Sequence, residues 1–265
     1  MSALITPAQL SEITAQVKIL DCTYGTMDAR GGYARAHIGD AQFFDIDEVA
    51  DPLSKYAHTM PAPEVFAAAV GAMGIGNDDM VVVYDQTGIA FAAARVWWMF
   101  RVMGHENVKV LNGGLPAWLS AGLPVQDGEA PVPTPKVFAP HYNGTLVRHF
   151  EDMEETGDTV IDARGAERFN ARVRGADGDV IAAHIPGSKN LPFAMLLDQH
   201  GALKDADACA AALYPQIEPG AKLTATCGSG VTACVLALGF YEAGIKDVAV
   251  YDGSWTEWSD RNGIR

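Results

Sequence analysis

The run Cys227-Gly228-Ser229-Gly230-Val231-Thr232 holds the residues best suited to covalent chemistry. It follows an apolar stretch, Ala221-Lys222-Leu223-Thr224-Ala225-Thr226, and opens onto Ala233-Cys234-Val235-Leu236-Ala237-Leu238-Gly239-Phe240. The pattern reads as strand, tight loop and helix, with a cysteine at the strand's end. Backbone N–H groups of such a loop, together with the start of the helix, stabilise negative charge on or near a sulfur. A sulfur anion held in this way is a nucleophile, and two chemistries suit it. Attack on a phosphate ester calls for an arginine at the far end of the loop to hold the equatorial oxygens. Ala233 stands there instead, and no arginine occurs between Cys227 and Arg261, which argues against a phosphatase. Attack on a sulfane or thiol sulfur, giving a persulfide, needs only free N–H groups.

The elements that must position this loop are written twice in the chain, at an offset of about 140 residues. Ile19-Leu20-Asp21 matches Val160-Ile161-Asp162, and His37-Ile38-Gly39 matches His184-Ile185-Pro186-Gly187. Met80–Asp85 matches Leu223–Cys227, Val108–Gly113 matches Val248–Gly253, and Trp118 matches Trp258. Each copy alternates short apolar strands with helical segments, which predicts an α/β fold with a mainly parallel sheet flanked by helices. Strands are expected at 17–21, 42–45, 80–84 and 108–111, and again at 159–162, 189–191, 222–226 and 247–251. Helices are expected at 63–73, 90–104 and 232–244. Prolines at 131, 133, 135 and 140 suit an extended linker. The expected division is a non-catalytic domain at 1–130, a linker at 131–142 and a catalytic domain at 143–265. In the first copy Asp85, followed by Gln86-Thr87-Gly88, stands where the second has its cysteine, so the thiol nucleophile belongs to the second copy alone. Asp85 is expected to face the cleft or to cap the helix that follows.

Composition narrows the partners. The net charge of -14, from 19 basic and 33 acidic residues, disfavours nucleic acid and anionic membrane as partners. An anionic substrate then needs local positive groups. The cysteines at 22, 209, 227 and 234 are spaced neither as a disulfide framework nor as a zinc site, and the seven histidines form no short-spaced pair. No metal is expected. No glycine-rich nucleotide fingerprint is present, and no cofactor is expected. Met1–Leu10 lacks a basic region followed by an apolar run, and the apolar segment at 91–103 is short and carries Arg95 and Arg101. A reducing, cytoplasmic setting without membrane insertion is the expectation.

The chain resembles two-domain sulfurtransferases of the rhodanese family, most closely the branch that uses 3-mercaptopyruvate. The Cys227–Thr232 loop carries the resemblance. So do Phe43-Phe44-Asp45-Ile46-Asp47, Arg95-Val96-Trp97-Trp98, Leu111-Asn112-Gly113-Gly114, His184-Ile185-Pro186-Gly187 and Tyr251-Asp252-Gly253-Ser254-Trp255. The resemblance implies tandem rhodanese-like domains and transfer of sulfur through a Cys227 persulfide to a thiol, a thioredoxin-like protein or cyanide, with release of pyruvate. The thiosulfate-preferring branch usually carries basic residues where this chain has Gly228 and Ser229. Thiosulfate sulfurtransferase and a non-catalytic sulfur carrier or interaction module are the alternatives.

Roles follow for individual residues. Cys227 is the expected nucleophile, with the N–H groups of Gly228, Gly230, Val231 and Thr232 around the persulfide. Thr232 is a candidate cap for the following helix. Cys22, Cys209 and Cys234 read as structural thiols. Resemblance places a carboxylate-binding arginine in the Asp162-Ala163-Arg164 run. Arg164 is therefore the leading clamp candidate, set against an ion pair with Asp162 or Glu167. Arg168 is the second candidate, with Arg172 and Arg174 competing. Resemblance also implies a relay of Asp28, His37 and Ser229 that activates or orients the donor. A purely structural histidine, matching His184, is the alternative reading of His37. The first copy departs from the family's usual form at His37-Ile38-Gly39-Asp40 and at Cys22-Thr23-Tyr24-Gly25.

Overall fold

The computed structural model describes residues 2–264, which divide into two compact units. The first contains 2–53, 60–143 and 199–203, and the second 54–59, 144–198 and 204–264. The segment at 131–142 has no helix or strand. It is not a free linker: the Lys136 N–H donates to Gly71 O at 2.9 Å, and Lys136 Nζ pairs with Asp79 at 2.7 Å, so this stretch is bound along the first unit.

The first unit runs β1 (Leu4–Ile5), α1 (Pro7–Ile13), β2 (Lys18–Asp21), α2 (Ala29–Arg35), β3 (Gln42–Phe43), α3 (Pro63–Ala72), β4 (Val81–Tyr84), α4 (Phe91–Val102), β5 (Val108–Leu111) and α5 (Gly114–Ser120). The second unit runs β6 (Val147–Arg148), α6 (Phe150–Glu154), β7 (Thr159–Asp162), α7 (Ala166–Asn170), β8 (Arg172–Arg174), β9 (Val180–Ala182), β10 (Lys189–Asn190), α8 (Ala206–Leu213), β11 (Leu223–Thr226), α9 (Ala233–Glu242), β12 (Ala249–Tyr251) and α10 (Ser254–Arg261). The sheet orders are β1-β5-β4-β2-β3 and β10-β7-β11-β12-β6, every pairing parallel. Read from the opposite edge, the first order is the second, so the sequence repeat is a repeat of topology. β8 and β9 form a separate antiparallel hairpin.

The central strands β4 and β11 are buried at every residue, because a parallel sheet covered on both faces exposes neither set of alternating side chains. Each of these strands feeds a loop and then a helix with almost no exposed face. Ala92 to Val102 of α4 and Ala233 to Phe240 of α9 are all buried. Each large apolar side chain enclosed there contributes roughly 1.5–3 kcal/mol. In α4 two arginines share this burial by lying over aromatic faces, Arg95 over Trp98 at 4.5 Å and Arg101 over Trp97 at 5.1 Å. The segment at 44–45 leaves the sheet after β3, which is shorter than its apolar sequence predicts.

Candidate functional site

Cys227 lies at the end of β11 and is 2% exposed. The turn after β12 grips its backbone from below. Ser254 Oγ accepts the Cys227 N–H at 3.1 Å and donates to Tyr251 O at 2.8 Å. The Trp255 N–H donates to Cys227 O at 3.1 Å, and both the N–H and the hydroxyl of Thr256 donate to Gly228 O, at 2.9 and 2.7 Å. Ser254 holds this grip with φ +50°, a conformation that side chains seldom adopt, so the turn stores strain at the base of the loop. From above, Gly230 turns the chain with φ +79°, and the Cys234 thiol donates to its carbonyl at 3.3 Å. With the loop's backbone carbonyls held on both sides, the N–H groups of Gly228, Ser229, Gly230, Val231 and Thr232 donate to no protein acceptor among the described residues. Successive open amides in a loop of this kind suit an anion. Thr232 occupies the position before α9 but its side chain makes no capping bond, contrary to the expectation from its type. The Ser229 hydroxyl has no hydrogen-bond partner among the described residues.

The first unit supplies an internal control. Gly88 has the same φ, +79°, as Gly230, and Gly114 at φ +55° stands in the place of Ser254. The Leu115 N–H donates to Asp85 O at 3.0 Å, as Trp255 does to Cys227 O. The loop amides differ. Thr23 Oγ1 takes the Gln86 N–H, Asp85 Oδ1 takes that of Thr87, and Thr87 Oγ1 takes that of Ile89. Of the five amides that stay open after Cys227, three have counterparts after Asp85 that are taken by side chains.

Asp85 itself is buried, with Oδ2 lacking a hydrogen-bond partner, and burial pushes its carboxyl up to about 7. Between pH about 4 and 7 the folded state therefore holds a proton that the unfolded chain releases, and stability falls as pH rises through that window. The full effect is on the order of 4 kcal/mol. Asp85→Asn is expected to flatten the fall in melting temperature between pH 5 and pH 8. An unchanged pH profile in the variant would remove Asp85 as its source.

Arg164 and Arg168 occupy contrasting positions. The Arg164 side chain is 3% exposed. Its Nε and Nη2 bond Asp162 at 3.0 and 2.6 Å, Nη2 also reaches Ala183 O at 2.8 Å, and the guanidinium stacks over Trp255. This is the Asp162 ion pair set against the clamp reading. Asp162 is fully buried, and Arg164 neutralises it. The repeat supports that reason: Asp21, the matching buried carboxylate, is satisfied instead by Thr23 and Gln86. Arg168, on α7, is exposed and has no ion pair or hydrogen bond among the described residues. A Cβ built on Gly228 would come within 3.3 Å of Arg168 Nη2, which places this open guanidinium against the cysteine loop. Arg174, on β8, donates to Gly178 O within its own hairpin.

Asp28 and His37 both lie in the first unit but share no hydrogen bond. Asp28 is exposed, caps α2 through the Gly31 N–H at 3.1 Å and pairs with Arg35 at 2.9 Å; the Arg35 hydrogen bond holds its carboxyl below the usual range. His37 is fully buried, with Nδ1 at 3.2 Å from Tyr33 O and its ring stacked on Tyr33. His184 repeats this arrangement on Phe169, at 2.8 Å from the carbonyl and 3.9 Å between rings. Asp28 and His37 are thus not joined to each other, and each histidine has Nδ1 beside a helix-end carbonyl. Ser254 and Thr256 had no role in the sequence reading; the alignment of Ser254 with a glycine of the silent copy was the available signal.

The remaining thiols are poor nucleophiles. Cys22 and Cys209 are buried, which pushes Cys22 well up and Cys209 to about 11. Among the described residues no cluster of three or more His, Cys, Asp or Glu side chains is placed to hold a metal, and no helix is long and apolar enough to cross a membrane.

Residues 6–121 and 146–261 each match the family described as Rhodanese-like domain. The chain is 39% identical over 237 residues to human 3-mercaptopyruvate sulfurtransferase, covering 87% of this chain and 80% of that one. It is 40% identical over 255 residues to bovine thiosulfate sulfurtransferase, covering 92% and 86%. Its structure is similar to the crystal structure of an Escherichia coli 3-mercaptopyruvate sulfotransferase, with a TM-score of 0.84, 31% identity and coverage of 96% and 99%.

Proposed function

This chain belongs to the rhodanese-like family of sulfurtransferases, which work through a persulfide, and we propose that its preferred donor is 3-mercaptopyruvate and its persulfide forms on Cys227. Near-equal identity to mercaptopyruvate-type and thiosulfate-type relatives leaves the donor to be argued from the loop itself. The observation that carries the reading is the pairing of Gly228 with Arg168. A basic side chain at 228 would meet the Arg168 guanidinium, whereas glycine leaves that cation open against the cysteine loop. Mercaptopyruvate carries its charge on a carboxylate away from its sulfur, so one cation set back from the cysteine suits it.

In the proposed cycle the Cys227 sulfur anion attacks the donor sulfur, forming an S–S bond as the donor's C–S bond breaks. The bonding pair leaves on carbon as pyruvate enolate, and the proton lost by the donor thiol ends on the methyl carbon. In this reading Ser229, whose hydroxyl has no hydrogen-bond partner among the described residues, moves that proton. The open amides from Gly228 to Thr232 stabilise the terminal persulfide sulfur, and Arg168 holds the donor carboxylate. A thiol, including that of a thioredoxin-like protein, or cyanide then removes the outer sulfur and restores Cys227.

The test compares pyruvate release from mercaptopyruvate with sulfite release from thiosulfate under one acceptor. The expected result is a kcat/KM for mercaptopyruvate at least about tenfold higher. A preference for thiosulfate would overturn the donor assignment and leave the persulfide chemistry intact.

A further inference from the structure

Residues 171–183 stand between α7 and His184, whereas Ala36 alone stands between α2 and His37. The cysteine-bearing copy spends that length on the β8–β9 hairpin, for which the silent copy has no room.

In the hairpin Arg172 pairs with Ala182, Val173 with Ile181 and Arg174 with Val180. The Gly175 N–H donates to Asp179 O at 2.8 Å and carries the ladder into the turn. Side chains alternate across a strand and match across a pair. Arg172, Arg174, Val180 and Ala182 therefore share one face, and Val173, Asp179 and Ile181 share the other. Val173 and Ile181 are half-buried, so their face lies toward the protein. The opposite face is open: Arg172 and Arg174 are exposed, and Val180 is 62% exposed. The Arg172 side chain makes no ion pair or hydrogen bond among the described residues, and that of Arg174 donates only to Gly178 O, at 3.2 Å. In a chain of net charge -14, two adjacent cations are thus left without a carboxylate partner.

The hairpin is tied to the unit near both of its ends. Arg172 follows Arg168 by four residues, and Arg168 Nη2 lies against Gly228 of the cysteine loop. At the turn, Ala176 Cβ lies 3.4 Å from where a Cβ on Gly263 would stand, just past the end of α10. The start of α10 holds the cysteine loop through Ser254 and Thr256. The hairpin therefore begins near the cysteine loop and ends at the far end of α10. A donor with its sulfur at Cys227 and its carboxylate on Arg168 is held at both ends and leaves Arg172 and Arg174 unused. These two stand about 7 Å apart along β8. Two cations with an exposed valine beside them match an acidic polypeptide surface and exceed what a three-carbon acid can span.

We propose that the Arg172–Arg174 face of this hairpin docks the sulfur acceptor, and that this acceptor is a dithiol protein with carboxylates beside its reactive cysteines. The proposal rests on the persulfide forming on Cys227. A thiolate of the docked acceptor attacks the outer persulfide sulfur, which moves with its proton. The sulfur–sulfur bond to Cys227 breaks, and its electron pair stays on Cys227. The acceptor's second thiolate then displaces the transferred sulfur as hydrosulfide, and the acceptor leaves as a disulfide.

The test uses the full-length protein with mercaptopyruvate as donor. The acceptors are cyanide and two dithiol peptides of equal length, one flanked by glutamates and the other by glutamines. At low salt the wild type is expected to favour the glutamate peptide about three- to tenfold in kcat/KM, the range that two exposed pairs support, with the difference closing at high salt. Such a preference runs against the field of the whole chain and therefore reports the local face. Arg172→Glu combined with Arg174→Glu should abolish it, and the two lysine substitutions together should keep it. Cyanide turnover should be equal in all three proteins. No preference in the wild type, or one that the charge reversal leaves intact, would overturn the docking face. An equal loss with cyanide would also overturn it and return both arginines to the donor. A wild type unable to use cyanide at all would overturn the Cys227 reading itself, so the two failures are distinguishable.

Discussion

Cys227→Ser is expected to lose sulfur transfer from mercaptopyruvate and from thiosulfate alike, by more than about a thousandfold in kcat/KM. Serine keeps nearly the shape of cysteine, and the contacts that hold the loop are made by the backbone of residues 227 and 228. The fold and the open amides should therefore survive, and the loss should be chemical: an alcohol oxygen does not form the sulfur–sulfur bond. No other thiol stands ready to substitute. Cys22 and Cys209 are held protonated by burial, and Cys234 is buried with its thiol directed at Gly230 O. Mass spectrometry after donor treatment provides the check. Wild type should gain one sulfur atom on the Cys227 peptide, and the variant none. A variant that still gained sulfur and turned over would move the carrier to another cysteine.

Arg164→Ala and Arg168→Ala should fail in opposite ways. Removing Arg164 leaves Asp162, which is fully buried, as an uncompensated charge, a loss of roughly 3–5 kcal/mol in stability. Removing Arg168 takes away a side chain without an ion pair or hydrogen bond among the described residues and should change stability by less than about 0.5 kcal/mol. The same substitution should lower kcat/KM for mercaptopyruvate by about 10- to 100-fold, mainly through KM, as expected for a lost hydrogen-bonded carboxylate contact. Denaturant unfolding paired with donor kinetics separates the two. A stable Arg164→Ala protein with impaired donor binding would return the clamp to Arg164.

Much of this was legible because the repeat writes the same topology twice. Continuous burial of β4 follows directly from Val81, Val82 and Val83. The two-residue edge strands β1 and β6 left no pattern, since their pairing is decided by the neighbouring strand and not by local propensity. The choice between Arg164 and Arg168 was hidden for a related reason. It depends on the burial of Asp162, a tertiary property, and spacing along the chain places both arginines equally near the loop. His184 did hint at the packing of His37, because both rings stack on an aromatic side chain and lie beside a helix-end carbonyl. The exchanged segments at 54–59 and 199–203 were out of reach of sequence periodicity, which carries no information about which unit a short connection joins.

The silent loop around Asp85 keeps the backbone of its counterpart, down to the left-handed turn at Gly88. Its amides are nonetheless committed differently. A thiol restored at position 85 would face amides already occupied by Thr23 and Thr87. A single Asp85→Cys substitution would therefore not by itself reproduce the open-amide loop that surrounds Cys227.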